Sequence, residues 1–190
     1  MFGMSGLELL STQKLQLVDA LSPLHAGLII SAMALSAIPT SILGGATLHR
    51  LGFLPLISGG FLLMATGMIL LLATRGEALA LLVVALVLTG LGAGLAMSVS
   101  STAIINAAPL HRTGMAAGVE AVSYEFGTLI SIALTGTLVP LLMARELPPH
   151  LAELGTDALH HPASHATAAS AYNAGYLSTI GGLACFALLL

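Results

Sequence analysis

Five stretches of this chain run for about 20 residues or longer with almost no charge, long enough as helices to cross a hydrocarbon core of about 30 Å. Residues 24–48, 53–74, 78–105 and 171–190 contain no Asp, Glu, Lys or Arg, and residues 114–143 contain two Glu and no other charge. Inside a bilayer each backbone N–H and C=O needs a partner within the chain, so such runs are read as spanning helices. No apolar–polar alternation persists along the sequence, which disfavours a barrel of strands. The expected architecture is all-α, a polytopic transmembrane helix bundle with about five spans forming a single domain over 1–190.

Composition agrees. Charged residues make up 7% of the chain and apolar residues 57%, with a mean hydropathy of +1.02. A soluble domain carries roughly 25% charged residues, so this chain cannot cover a water-facing surface and its first partner is the lipid bilayer. The five Lys and Arg are scattered, which gives a nucleic acid nothing to bind. The single Cys, Cys185, excludes an internal disulfide and a Cys-rich metal site.

The remaining segments are short or polar. Residues 1–18 include Glu8 and Lys14 and read as the end of a truncated helix; no secretory leader is recognisable there. The last run reaches the C-terminus without a polar stop, as though cut within a span. Residues 74–77 form a tight polar turn and 106–113 a short basic loop with Pro109, His111 and Arg112. Residues 144–170 are a polar loop with several Pro and His, expected to hold a short surface helix over 151–159. Lys14, Arg75 and Arg145 oppose Arg50 and Arg112 across the membrane, so counting basic residues in short loops leaves orientation open.

The two acids are the most informative residues. At about 1.5 Å of rise per residue, Glu125 lies near the bilayer midplane and Glu120 about a turn and a half shallower. An ionised carboxylate there costs about 2.5–3.5 kcal/mol on insertion scales. Burial disfavours the charged form of a carboxyl, and a group able to be neutral or charged in a membrane suits the carriage of a proton or the attraction of a cation. Five helical positions turn through about 500°, or 140° net, so the two acids point to different sides. Glu125 shares its face with Gly118 and Ala121; Glu120 shares its face with Tyr124, Gly127 and Ser131. At least one acid therefore faces the bundle interior. A purely structural carboxylate bonded to a neighbouring helix is the plainer alternative. Tyr124 and Phe126 flank Glu125, and an aromatic face there can contact a lipophilic cation, although packing suffices for Phe126.

Small residues and prolines mark the helices. Gly90, Gly92 and Gly94 lie in one span, and Gly114 and Gly118 form a small-x-x-x-small pair at the start of the next. Such faces let helix backbones approach closely in lipid; a tight seam and a sliding pair are both compatible with them. Pro39 and Pro140 each remove a backbone donor and can bend their helices, Pro39 being the candidate gate element. His160, His161 and His165, with Asp157, lie in the polar loop, and a solvated loop explains them better than a metal site. No G-x-S-x-G, H-E-x-x-H or Walker A motif is present, so neither an enzyme nor an ATP-driven pump is expected, and no cofactor.

Several stretches resemble the major facilitator superfamily, and within it the fourteen-helix drug/proton antiporters of the methyl viologen and quaternary ammonium type. Ser22-Pro23-Leu24-His25-Ala26-Gly27-Leu28 is similar to that family's S-P-L-x-A-G-L entry to helix ten, preceded by Gln13-Lys14-Leu15-Gln16-Leu17-Val18 as at the end of helix nine. The segment from Gly45 to Gly52 resembles the second, degenerate copy of the G-x-x-x-D-R-x-G loop, with Arg50 retained and His49 where the acid would stand. The segment from Ala117 to Gly127 resembles helix thirteen, with a V-E-x-x-x-Y-[DE]-x-G pattern, and Ala171-Tyr172-Asn173-Ala174-Gly175-Tyr176 resembles the start of helix fourteen.

The resemblance implies the C-terminal half-bundle of a major facilitator fold in a bacterial inner (plasma) membrane. Arg50 and Arg112 would be cytoplasmic and the loop 144–170 extracytoplasmic. It implies export of cationic small-molecule drugs driven by the proton gradient, with Glu120 and Glu125 as proton and cation sites and Tyr124 as a substrate contact. It also implies a partner, the missing N-terminal half, without which the fragment would be inactive. A metabolite transporter of the same superfamily and a non-transporting membrane scaffold or remnant are the alternatives.

Overall fold

In a computed structural model of the chain, residues 1–73, 78–148, 156, 159 and 164–189 are described. They form six α-helices: α1 (Phe2–Gln13), α2 (Pro23–Leu51), α3 (Phe53–Ala73), α4 (Leu79–Ala107), α5 (Thr113–Glu146) and α6 (His165–Leu189). There is no strand among the described residues. Helices α2 to α6 are long and apolar enough to cross a membrane. The protein is thus a multi-pass helical bundle, and α6 begins at His165, ahead of the expected 171. The turn 74–77, the surface helix over 151–159, and Asp157, His160 and His161 lie outside the described residues, wholly or in part.

Local signals in the sequence explain where helices begin and end. Ser22 caps α2, its hydroxyl accepting from the His25 backbone N–H at 3.4 Å, and Pro23 fills the first position, where its missing N–H costs nothing. Gly52 closes the same helix at φ 83°, a conformation that suits only glycine well. A 3₁₀ turn over Leu110–Arg112 links α4 to α5. Beyond α1, Lys14–Val18 continues as a wider π-helical turn. That turn buries Lys14 and pairs its ammonium with Asp19 at 2.9 Å. The ion pair is how the fold accommodates a lysine buried in this segment.

Around the bundle the helices neighbour one another in the order α2, α4, α3, α6, α5, α1, and α4 also touches α5. Helix α4 is the most enclosed. Its glycines work in two directions: Gly90 and Gly94 lie against α2, and Gly92 lies against Gly60 and Met64 of α3. A Cβ at Gly90 would collide with the Met33 carbonyl, and one at Gly94 with the Ala37 carbonyl. Two hydroxyls join the same seam, Ser36 donating to Val87 O at 3.1 Å and Ser98 donating to Ser41 O at 2.7 Å. In this arrangement the α2–α4 contact is closely packed at both glycines.

On the other side, α1 and α6 hold α5. Ser131 Oγ donates to Phe2 O, and the Ser5 and Thr128 hydroxyls lie 3.2 Å apart. Tyr172 donates to Gln13 at 3.3 Å, and Tyr176 pairs with Ser11 at 3.5 Å. These bonds between helices have little competition from water at this depth, though each contributes only about 0.6 kcal/mol on average in membrane proteins.

Candidate functional site

Helix α5 carries both acids and turns them apart. Its buried residues are Glu120, Ser131, Thr135, Val139 and Met143, a stripe at helical spacing that faces the bundle. Glu120 is 8% exposed, whereas Glu125 is exposed and makes no hydrogen bond or ion pair with the described residues. Along the axis the acids stand about 10 Å and 18 Å from the start of α5, at 1.5 Å per residue.

Two hydroxyls satisfy Glu120. Tyr124, one turn along the same helix, donates to Oε1 at 2.8 Å. Ser101, near the end of α4, donates to Oε2 at 3.2 Å. Each carboxylate oxygen thus has a donor from a neutral group, and among the described residues no cation pairs with it. Hydrogen bonds to a charged acceptor contribute more than neutral ones, which is how a carboxylate can be held within the bundle without an ion pair. This is also where α4 meets α5, so the acid sits at the junction of the bundle's two sides.

Beside it lies a cavity of about 160 Å³ lined by residues that include Phe2, Phe61, Met64, Met97, Tyr124 and Phe186. Phe2 and Phe186 meet edge to face with centroids 4.9 Å apart. Thioether and aromatic walls of this kind adapt to ligands of varied shape. Tyr124 belongs to both features: its ring borders the cavity and its hydroxyl holds the acid.

The other sequence-derived candidates are dispersed. Pro39 lies on the exposed side of α2, away from the seam. Arg50 is exposed in the last turn of α2. Gly90 and Gly94 serve the α2–α4 contact. At Gly114 and Gly118, the candidate close-approach pair at the start of α5, a Cβ would meet nothing within 4 Å among the described residues. The aromatic flank of Glu125 also divides. Phe126 is 60% exposed, and Tyr124 turns to Glu120 instead, because residues four apart stack on one helix face. Ser101 was missed by sequence reading; it sits in a run of small and hydroxyl residues, 98–102, in which nothing marks the one facing α5. Among the described residues no three His, Cys, Asp or Glu side chains gather as metal ligands would.

The comparisons with known proteins agree on a family. The family model described as Major Facilitator Superfamily matches residues 2–146. The multidrug resistance protein Stp of Mycobacterium tuberculosis is 31% identical over 150 residues, 79% of this chain and 28% of that protein. The methyl viologen resistance protein SmvA of Salmonella typhimurium is 31% identical over 144 residues, covering 73% of this chain and 28% of its own length. The multidrug efflux pump LfrA of Mycolicibacterium smegmatis is 29% identical over 141 residues, with 72% and 27% covered. The chain therefore spans less than a third of the length of the curated relatives it matches. These are transporters and not enzymes. A multi-pass bundle of apolar helices, a carboxylate held inside it, and a family match over most of its length lead to one assignment: the chain belongs to the major facilitator superfamily.

Proposed function

We propose that this chain is part of a proton-coupled exporter of lipophilic cations, of the quaternary ammonium or methyl viologen kind, in a bacterial inner membrane. The observation that carries the reading is the division of labour on α5. At membrane depth one carboxylate is enclosed and hydrogen-bonded, while the other projects from the bundle unpaired. A charge at that depth is costly when it faces lipid alone, so the side of α5 bearing Glu125 faces a polar passage or a further part of the protein. That further part is the N-terminal half-bundle of the parent, and alternating access consists of rocking one half against the other around a midplane site. The relatives' names, one for multidrug resistance, one for multidrug efflux and one for methyl viologen resistance, support the substrate class.

In this mechanism deprotonation toward the cytoplasm leaves a carboxylate that attracts a cationic drug, and protonation from outside releases it. The proton gradient supplies the energy and no cofactor takes part. The test uses the intact transporter containing this chain, expressed in an efflux-deficient bacterium. Glu125→Gln and Glu120→Gln are each expected to abolish resistance to methyl viologen and drug-induced proton movement in everted vesicles. Full resistance and full proton exchange in both variants would make the acids structural and end the proposal.

A further inference from the structure

We propose that the end of the bundle where α2 and α4 finish is an anchor for anionic phospholipid, with Arg50 and Arg112 on the headgroup phosphates and exposed leucines in the acyl chains beside them. The two arginines lie in separate loops that the fold brings together. Gly90 of α4 meets Met33 of α2, Gly94 meets Ala37, and Ser98 meets Ser41. Later residues of one helix meet later residues of the other, so the helices run parallel and finish at the same end. Each has 29 residues. At 1.5 Å of rise per residue that is about 44 Å, which matches a bilayer with its headgroup layers and exceeds the hydrocarbon core alone. The loops that follow therefore stand at headgroup depth.

The two loops repeat one chemistry. Each has a His-Arg pair, His49-Arg50 and His111-Arg112. All four side chains are exposed and make no hydrogen bond or ion pair with another described residue. No Asp or Glu occurs from residue 20 to 76 or from 78 to 119, so nothing acidic in either loop offsets the charge. At the other end of α2 the fold does offset it, since Lys14 is paired with Asp19 at 2.9 Å. Each His-Arg pair also adjoins bare apolar side chains. Leu51 and Leu54 follow the first, 60% and 75% exposed, and Leu110 precedes the second at 94%. Water is a poor neighbour for these leucines, and a free phosphate ion would leave them uncovered. An anionic lipid covers both features. Guanidinium forks take its phosphate oxygens in parallel hydrogen bonds, and the leucines reach the first methylenes of its chains. Arginine suits this depth because its apolar stem lies along hydrocarbon while its head stays in the polar layer. The surface uses neither acid of α5, so it stands or falls apart from the transport reading.

The experiment reconstitutes the 190-residue chain in vesicles of phosphatidylcholine with phosphatidylglycerol as the minor lipid. The protein is transferred to mild detergent and its retained lipids are counted by native mass spectrometry. Wild type is expected to retain phosphatidylglycerol well above its share of the vesicle. Arg50→Gln and Arg112→Gln are each expected to lower that preference about fivefold, the factor for one basic residue at an anionic surface, and the double variant to show almost none. Arg145→Gln, beside Glu146 at the opposite end of the bundle, is expected to change nothing. Leu51→Ser combined with Leu110→Ser is expected to weaken retention with both arginines in place. The altered side chains are exposed, so the variants are expected to keep the wild-type helical circular dichroism. Glycerol phosphate, the headgroup chemistry without acyl chains, is expected not to displace the lipid. Displacement by it would show a phosphate site in place of a lipid one and overturn the proposal. Retention of the two lipids in the vesicle's own ratio by wild type, or an undiminished preference in the double arginine variant, would overturn it as well. Each of these results leaves the resistance test of the intact transporter standing.

Discussion

Two glycine-bearing faces of this bundle look alike in sequence and differ entirely in use. On α4, Gly90 and Gly94 are pressed against carbonyls of α2, with serine hydroxyls crossing the seam in both directions. On α5, Gly114 and Gly118 keep the same four-residue spacing and touch nothing. The spacing reports only that a backbone can be approached closely. Whether it is approached depends on where neighbouring helices lean, which is a tertiary fact. The closed seam is a completed interface, and the open face is a surface on which the unpaired Glu125 stands.

The same one-carbon change at four positions tests this contrast most strongly. Gly90→Ala and Gly94→Ala are each expected to destabilise the bundle by about 2–3 kcal/mol, because the atoms in the way are backbone and overpacking cannot be relieved by a rotamer. Gly114→Ala and Gly118→Ala are expected to cost nothing in this chain, with helix propensity adding up to about 1 kcal/mol. Unfolding midpoints in mixed micelles check all four; equal losses would dissolve the distinction. Next in size, Glu120→Leu strands two hydroxyls and is expected to cost about 1–3 kcal/mol. Glu125→Leu strands none and is expected to leave the unfolding midpoint unchanged or raised. Smallest, Ser36→Ala and Ser98→Ala are each expected to cost about 0.6 kcal/mol. The two bonds lie at different levels of the α2–α4 seam and share no partner, so the double variant should show additive losses.

Much of the site was legible because helical geometry is regular. The angular offset between Glu120 and Glu125 placed them on different sides, Ser131 shares the buried stripe of α5 with Glu120, and Tyr124 reaches Glu120 by a hydrogen bond. The apolar runs marked the five long helices, since nothing but a spanning helix satisfies so much backbone without water. Contacts between helices were less legible. Ser101 lies nineteen positions before Glu120, and its role depends on how α4 crosses α5. The burial of Lys14 depends on a π-helical turn that brings Asp19 back to it, and no local propensity signals such a turn. The aromatic neighbours of Glu125 were assigned by adjacency, whereas on a helix the relevant neighbour is a turn away.

Helix α4 contains no ionisable side chain, and its seam with α2 is made of glycine, serine and main-chain carbonyls. Changes of pH or ionic strength therefore have nothing to act on there. That seam is a contact whose strength acid and salt leave as they find it.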